Sequence, residues 1–344
     1  MEEKFSEFYE NYKNKLDEIY IKFNQEKNKI ERRFFLAMIV FLILFVFATY
    51  KLKLLFDSYA VFIIIGCVAI VASVIVGIFL RLRREMYKIN RNIIEDIIKY
   101  ISLDEEAIYE PDKRISIDNI KEMELFNLDN LKYNGKNVIG TNYNNNYMNF
   151  ADMEIYYYKD KIKEDTYYDS NGNPYTKKSI EKIKKTLFSG CYISATLNKK
   201  IAEHIYLIPN NFSDLIINGA IKDYITYSGE EIELENLEFS KKYKVYSDDE
   251  IQARYILSLA LMEKINEIDD IFDGKKYIVF KEGRRFVICI EGFKIEDLRK
   301  TLLPFNRNSP KVQENLKYIF KNLYKLFEIY NVLDLGSDLY VDNK

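Results

Sequence analysis

Residues 34–80 read FFLAMIVFLILFVFATYKLKLLFDSYAVFIIIGCVAIVASVIVGIFL, and the reading of this stretch decides the architecture. Phe34 to Phe56 and Tyr59 to Leu80 each supply the roughly 20 apolar residues needed to cross a hydrocarbon core of about 30 Å. The stretch therefore predicts a hairpin of two transmembrane helices. Lys51 and Lys53 interrupt the first span only near its end, where long side chains reach the headgroups, and the connection is a short turn at Asp57 and Ser58. Neither span carries an ionisable residue in its middle, which disfavours a channel. Lys22, Lys27, Lys29, Arg32 and Arg33 precede the first span, and Arg81, Arg83, Arg84, Lys88 and Arg91 follow the second. By the bias of basic residues to the cytoplasmic side, both flanks and both termini are expected there, with the lipid bilayer of a cell membrane as the first partner. A secretory signal would carry its apolar core nearer the start and a small-residue cleavage site after it, and neither is present. In the second span Ala69, Ser73 and Gly77 recur every four residues, on one helical face where another helix can approach closely. That neighbour is either the first span of the same hairpin or a second copy of the chain, as a homo-oligomer would require.

Working outward, residues 1–33 place Phe5, Tyr9, Tyr12, Leu16, Ile19, Phe23 and Ile30 at 4,3 spacing, the seam of a coiled-coil-like helix. Residues 81–103 continue a similar stripe through Leu82, Met86, Ile89, Ile93, Ile97 and Ile101. The two extensions are expected to form a helical stalk, pairing with each other or with a second protein. From residue 104 to 344 the pattern changes to short alternating strands and turn residues, with long helices returning only near Ser247 and Pro310, which reads as a mainly antiparallel α+β domain. Tyr277 and Val279, then Phe286, Ile288 and Ile290, alternate on either side of a turn at Glu282 and Gly283, the clearest hairpin. Residues 167–175, YYDSNGNPY, read as an exposed loop. Pro310 to Val332 closes the domain with Leu316, Ile319, Phe320, Leu323, Leu326 and Phe327 on one face.

Composition narrows the function class. The 344 residues hold 51 basic against 53 acidic side chains, a net charge of −2, so the basic excess of a nucleic-acid binder is missing. Of three cysteines Cys67 lies in the apolar run, and Cys191 and Cys289 have no CxxC spacing, so neither a disulfide framework nor a thiolate metal site is expected. Phosphate-binding loops, the GxSxG elbow and the HExxH pair are all absent, and no cofactor is expected.

The segments Leu125-Phe126, Val138 to Gly140, Phe150 to Glu154 (FADME), Leu187 to Ile201 (LFSGCYISATLNKKI) and Leu234 to Ile265, behind an apolar hairpin, carry a resemblance. Together they resemble the bacterial family known only as domain of unknown function 3137. The last segment is the most specific, with Phe239, Tyr243, Val245, Tyr246, Ser247, Asp248, Ala253, Arg254, Tyr255, Leu257 and Met262 on the family pattern. Leu259 departs from it, standing where related sequences often carry a proline. The resemblance implies a membrane-anchored bacterial protein, with a LemA-type membrane protein as expected partner and no catalytic residues to carry over.

Within that segment YSDDEIQARY, Tyr246 to Tyr255, is the one candidate site. Ser247 and Glu250 are spaced as a capping box, Asp248 and Asp249 fall in the first turn where the helix dipole favours negative charge, and Glu250 stands four residues before Arg254 as an ion pair. Read so, every charge has a structural role and no metal is expected. The alternative is a membrane-tethered hydrolase whose carboxylates lie among Asp248, Asp249, Glu230 and Glu231. The single histidine, His204, and Cys191 read as strand residues with no visible catalytic partner. The expectation is a membrane-anchored protein-binding module, a scaffold or sensor, with no reaction of its own.

Overall fold

The computed structural model describes residues 1–53, 60–129, 131–168, 170–210, 229–301 and 310–333. The chain divides into two compact units, Met1–Asp96 with Arg299–Lys321, and Ile97–Leu298 with Asn322–Lys344.

The first unit is helical. Helix α1, Glu2–Lys53, runs 52 residues, about 78 Å at 1.5 Å per residue, and α2 spans Ala60–Ser102. Phe5, Phe8, Tyr12, Leu16, Phe23 and Ile30 are buried along α1, so Phe8 takes the seam position that spacing assigns to Tyr9. Tyr12 Oη donates to Asp96 Oδ2 at 2.8 Å and Lys15 Nζ to Asp96 Oδ1 at 2.8 Å, which ties the N-terminal extension to the extension of α2 within one chain. The first turns of the C-terminal helix complete this seam: the Phe320 ring lies 5.5 Å from Phe5 and 5.4 Å from Phe8. Among the described residues no helix is long and apolar enough to cross a membrane. The expected spans, Phe34 to Phe56 and Tyr59 to Leu80, run into residues 54–59, which lie outside those described.

The second unit is an antiparallel sheet with helices. Its strands are β1 Ile108–Glu110, β2 Lys132–Tyr143, β3 Asn146–Tyr168, β4 Pro174–Ile201, β5 Ile205–Pro209, β6 Glu230–Ile232, β7 Tyr243–Ser247, β8 Lys276–Lys281 and β9 Gly283–Glu291, in the order β1-β2-β3-β4-β9-β8-β5-β7-β6. Its helices are α3 Ile117–Lys121, α4 Leu237–Lys242, α5 Glu250–Ile256, α6 Leu259–Ile271, α7 Ile295–Thr301 and, from its second half, α8 Pro310–Val332. Asn144 and Asn145, both at positive φ, make the two-residue turn between β2 and β3 whose backbone twist suits the right-handed twist of the strands.

The sheet is buried on both faces at its centre, so β8 and β9 are more continuously apolar than alternation requires: Tyr277 to Phe280 and Phe286 to Ile290 are all buried. One face packs Tyr277, Val279, Val287 and Cys289 against Met123, Leu125 and Phe126 from the α3 segment. The other carries Phe150, whose ring lies 5.2 Å from Phe327 of α8. Gly190 allows the closest approach in the sheet, since a Cβ there would stand 1.9 Å from the Ile290 carbonyl oxygen.

The strands are not all short. β3 and β4 run 23 and 28 residues, and their pairing continues in unbroken register from Tyr156↔Thr186 to Tyr168↔Pro174. Past Tyr157 and Lys185 nearly every side chain of this ribbon is exposed on both faces. Twelve residues at about 3.4 Å each carry it about 40 Å beyond the sheet.

Candidate functional site

The acidic turn is built at the end of β7. Ser247, the last residue of that strand, pairs with Ile205 of β5 and Glu230 of β6, and its side chain is buried. Its Oγ donates to the His204 carbonyl at 2.7 Å and accepts from the Asp249 amide at 3.3 Å. The capping residue of α5 is therefore Asp249, whose Oδ1 accepts from Gln252 N at 2.9 Å, and not Ser247 as the capping-box spacing suggests. The physical reason is strand pairing: a residue held in the ladder on both sides is too early to cap a helix that starts at Glu250. Glu250 Oε1 accepts from Arg254 Nε at 3.0 Å and Nη2 at 2.8 Å, and Asp248 is exposed. Gly229, at φ +110°, lies against the Ser247 backbone and brings Glu230 and Glu231 beside the turn, where Glu231 pairs with Lys244 at 3.2 Å. Among the described residues no group of three or more His, Cys, Asp or Glu is placed to hold a metal ion. Ser258 caps α6 by accepting from Leu261 N at 3.3 Å, so the helix breaks there with leucine at 259 in place of proline.

Three other carboxylates that sequence spacing does not single out sit in built polar clusters. Asp152 is buried in β3. It accepts from Asn137 Nδ2 at 2.6 Å and from the amides of Ile295 and Glu296 at 2.7 and 2.9 Å, which pins the start of α7 to the sheet. Asn137 stands at the β-bulge of β2 with φ +58°, which turns its side chain inward, and Tyr109 Oη donates to its Oδ1 at 2.9 Å. Burial raises the Asp152 pKa, opposed by those hydrogen bonds. Asp269, on α6, accepts from Lys242 at 3.0 Å, Tyr243 Oη at 3.1 Å and Lys276 at 2.9 Å. Burial works against its ionisation, and the Lys276 and Lys242 ammonium groups outweigh burial and hold the carboxyl below its usual range. Glu122 takes Lys281 at 3.1 Å and Arg285 at 2.5 Å, so Arg285 at the hairpin tip is not an uncommitted cation. Only Asp152 had a signal in the sequence, a carboxylate set between the apolar Ala151 and Met153 of a strand. These clusters fasten one element to another; Asp152 also lines an open cavity of about 180 Å³ with Lys136, Glu154, Lys294 and Glu296, and Glu122 lines one of about 340 Å³ with Lys281, Arg284 and Arg285.

Cys191 and Cys289 are buried, and burial pushes both thiols well above their usual range, which disfavours the thiolate form. A cavity of about 370 Å³ opens beside α5 and α6, lined by Arg254, Tyr255, Ile256, Leu261, Lys264 and Leu333, with no carboxylate or histidine.

Large apolar side chains lie exposed on the first unit. Phe35, Ile43 and Phe47 of α1 are 59, 63 and 61% exposed, and Val68, Val76 and Phe79 of α2 are 64, 55 and 63% exposed. Ala69, Ser73 and Gly77 are also exposed; Ser73 Oγ donates to the Ala69 carbonyl at 2.7 Å, and a Cβ at Gly77 would meet nothing within 4 Å.

Residues 186–335 match the family described as protein of unknown function (DUF3137). No curated protein matches the chain. Among solved structures, the crystal structure of the mycobacterial trehalose monomycolate transport factor A, TtfA, aligns at 10% identity over 68% of this chain and 95% of that one, with a TM-score of 0.31. Nothing of that protein's role is carried over.

Proposed function

We propose that this chain, a DUF3137 protein over residues 186–335, is a membrane-anchored binding module: α1 and α2 insert through their apolar segments, and the α+β unit works beside the bilayer as a scaffold or sensor. The carrying observation is the exposed apolar surface between Phe35 and Tyr50 and between Val68 and Leu80. Soluble chains rarely expose an apolar patch beyond a few hundred Å², and water contact forfeits about 25 cal/mol for each Å² left unburied. Acyl chains remove that loss. Arg32 and Arg33 on one helix and Arg81, Arg83 and Arg84 on the other flank the apolar surface, and this basic bias supports headgroup contact there with both flanks on the cytoplasmic side of a bacterial membrane. The polar clusters at Asp152, Asp269 and Glu122 join elements of the fold through hydrogen bonds and ion pairs, which supports a structural role for them. On the family resemblance the partner is a LemA-type membrane protein.

The test is extraction and labelling. Alkaline carbonate should leave the chain in the membrane pellet, and a cysteine placed at Ser58 should react with an impermeant reagent added outside while one at Ser6 does not. Release by carbonate overturns the anchoring, and reaction at Ser6 overturns the orientation.

A further inference from the structure

The β3–β4 ribbon has two chemically different faces. Residues opposite each other in the ladder share a face, and the face alternates along each strand. On one face Asp160 opposes Lys182 and Glu164 opposes Lys178, with Ile162 opposite Ile180 between them, so the charges cancel across the ribbon. The Glu164–Lys178 pair closes at 2.8 Å. On the other face Lys159, Lys161, Lys163, Lys177 and Lys185 meet only Asp165 and Glu181. Of these lysines Lys163 pairs with Asp165 at 3.2 Å, while Lys159, Lys161, Lys177 and Lys185 have no ion-pair partner among the described residues. Tyr167 and Tyr175 stack at 5.9 Å at the far end of this face.

The complement lies at the end of the same sheet. Among the described residues β6 is the last strand and pairs only with β7. Glu230 in this strand, Glu233 and Glu235 just after it and Glu238 in α4 are exposed and have no ion-pair partner among the described residues. Glu231, Glu233 and Glu235 recur at the same two-residue spacing as Lys159, Lys161 and Lys163. Five strand steps of about 4.8 Å separate β4 from β6 across the sheet, about 24 Å, so a ribbon projecting along the strand direction does not reach its own acidic edge.

We propose that the chain self-associates head to tail, the basic face of the β3–β4 ribbon of one copy lying on the acidic β6 edge of a second. The contact is heterologous: it joins two different surfaces, so each copy keeps one ribbon and one edge free for the next, building a ring or a filament. Glutamates in and just after β6 repel a second identical set and attract this ribbon, which gives the association its direction. The inference does not depend on the membrane placement.

The test mixes nitrogen-15-labelled and unlabelled full-length protein in detergent and treats it with a zero-length carbodiimide, which joins a lysine to a carboxylate only at ion-pair distance. Mass spectrometry should find mixed-isotope peptides linking Lys159, Lys161, Lys177 or Lys185 to Glu230, Glu233, Glu235 or Glu238. These should be lost in about 1 M salt, where the Debye length is about 3 Å. The ribbon variant Lys159→Glu, Lys161→Glu, Lys177→Glu, Lys185→Glu should lose them at least tenfold, as should the edge variant Glu230→Lys, Glu233→Lys, Glu235→Lys, Glu238→Lys. Mixing the two variants should restore mixed-isotope links with the polarity reversed, which a merely unfolded variant cannot do. Wild type that yields only same-isotope links, or variants that fail to complement, overturns the proposal. So does binding of the ribbon lysines to phosphatidylglycerol vesicles with no mixed-isotope peptide.

Discussion

Asp269 gathers Lys242, Tyr243 and Lys276 around one carboxylate, and Lys276 is only 4% exposed. Its folded pKa lies below the unfolded value of about 3.9, so its contribution to stability is present above that pH and is lost as pH falls through the lower folded value. Asp269→Asn should therefore flatten the acid side of a stability–pH profile below about pH 4. At neutral pH it should cost about 3–5 kcal/mol, because it leaves the Lys276 ammonium buried without its counter-ion. Urea unfolding across pH reads both. Asp249→Ala should cost about 0.5–2 kcal/mol through loss of the α5 cap, with Asp249→Asn costing less because it keeps an acceptor oxygen. Ser247→Ala should cost about 0.5–1.5 kcal/mol for a different reason, the lost hydrogen bond to the His204 carbonyl, and Ser247→Asn should not recover it. An equal recovery by asparagine at both positions would contradict this division of roles. The spacing of Ser247 and Glu250 was legible as a helix start, but which residue caps the helix depended on how far β7 runs. Strand pairing is a long-range fact that local spacing does not contain.

At the scale of elements, the ribbon and the sheet centre respond differently to change. Replacing residues 160–182 by Asn-Gly closes the hairpin at Lys159↔Ile183, and since the removed side chains are exposed it should shift unfolding by no more than about 1 kcal/mol. A loss of cooperative unfolding would show instead that the ribbon belongs to the folding core. Gly190→Ala tests the opposite extreme. A methyl group 1.9 Å from the Ile290 carbonyl forces β4 and β9 apart at the centre of the sheet, for about 1–3 kcal/mol or more, read as a lowered urea midpoint. The seam of α1 and the helix Pro310–Val332 follow apolar spacing because each buries a regular face, and the β8–β9 hairpin is legible as two apolar runs about a turn. The ribbon escapes such a reading. With water on both faces its strands have no apolar period, and the strands reach into the stretch 167–175 that reads as an exposed loop, β3 ending at Tyr168 and β4 starting at Pro174.

For the whole molecule, the exposed apolar surface of α1 and α2 and the uncancelled charge of the ribbon and of the glutamates at β6 are two imbalances on the exterior of the described residues. We propose that a bilayer matches the first and another copy the second, and the two would then respond differently to solution conditions. Salt weakens the ion pairs between copies and leaves apolar insertion intact. Raising salt to about 1 M should therefore disperse the carbodiimide-linked species while the chain stays in the membrane pellet.

By itself the sequence determined the two long N-terminal helices, the apolar segments they carry, the central hairpin and the closing helix, because each writes itself into a period of 3.6 or 2 or into an unbroken apolar run. Tertiary structure alone decided that Asp152, Asn137 and Tyr109 meet across a bulge, that Asp269 collects two lysines from different elements, and that Asp249 rather than Ser247 caps α5. Those contacts join residues far apart in the chain, where the strand order and register of the sheet, and not the local pattern, set which side chains become neighbours.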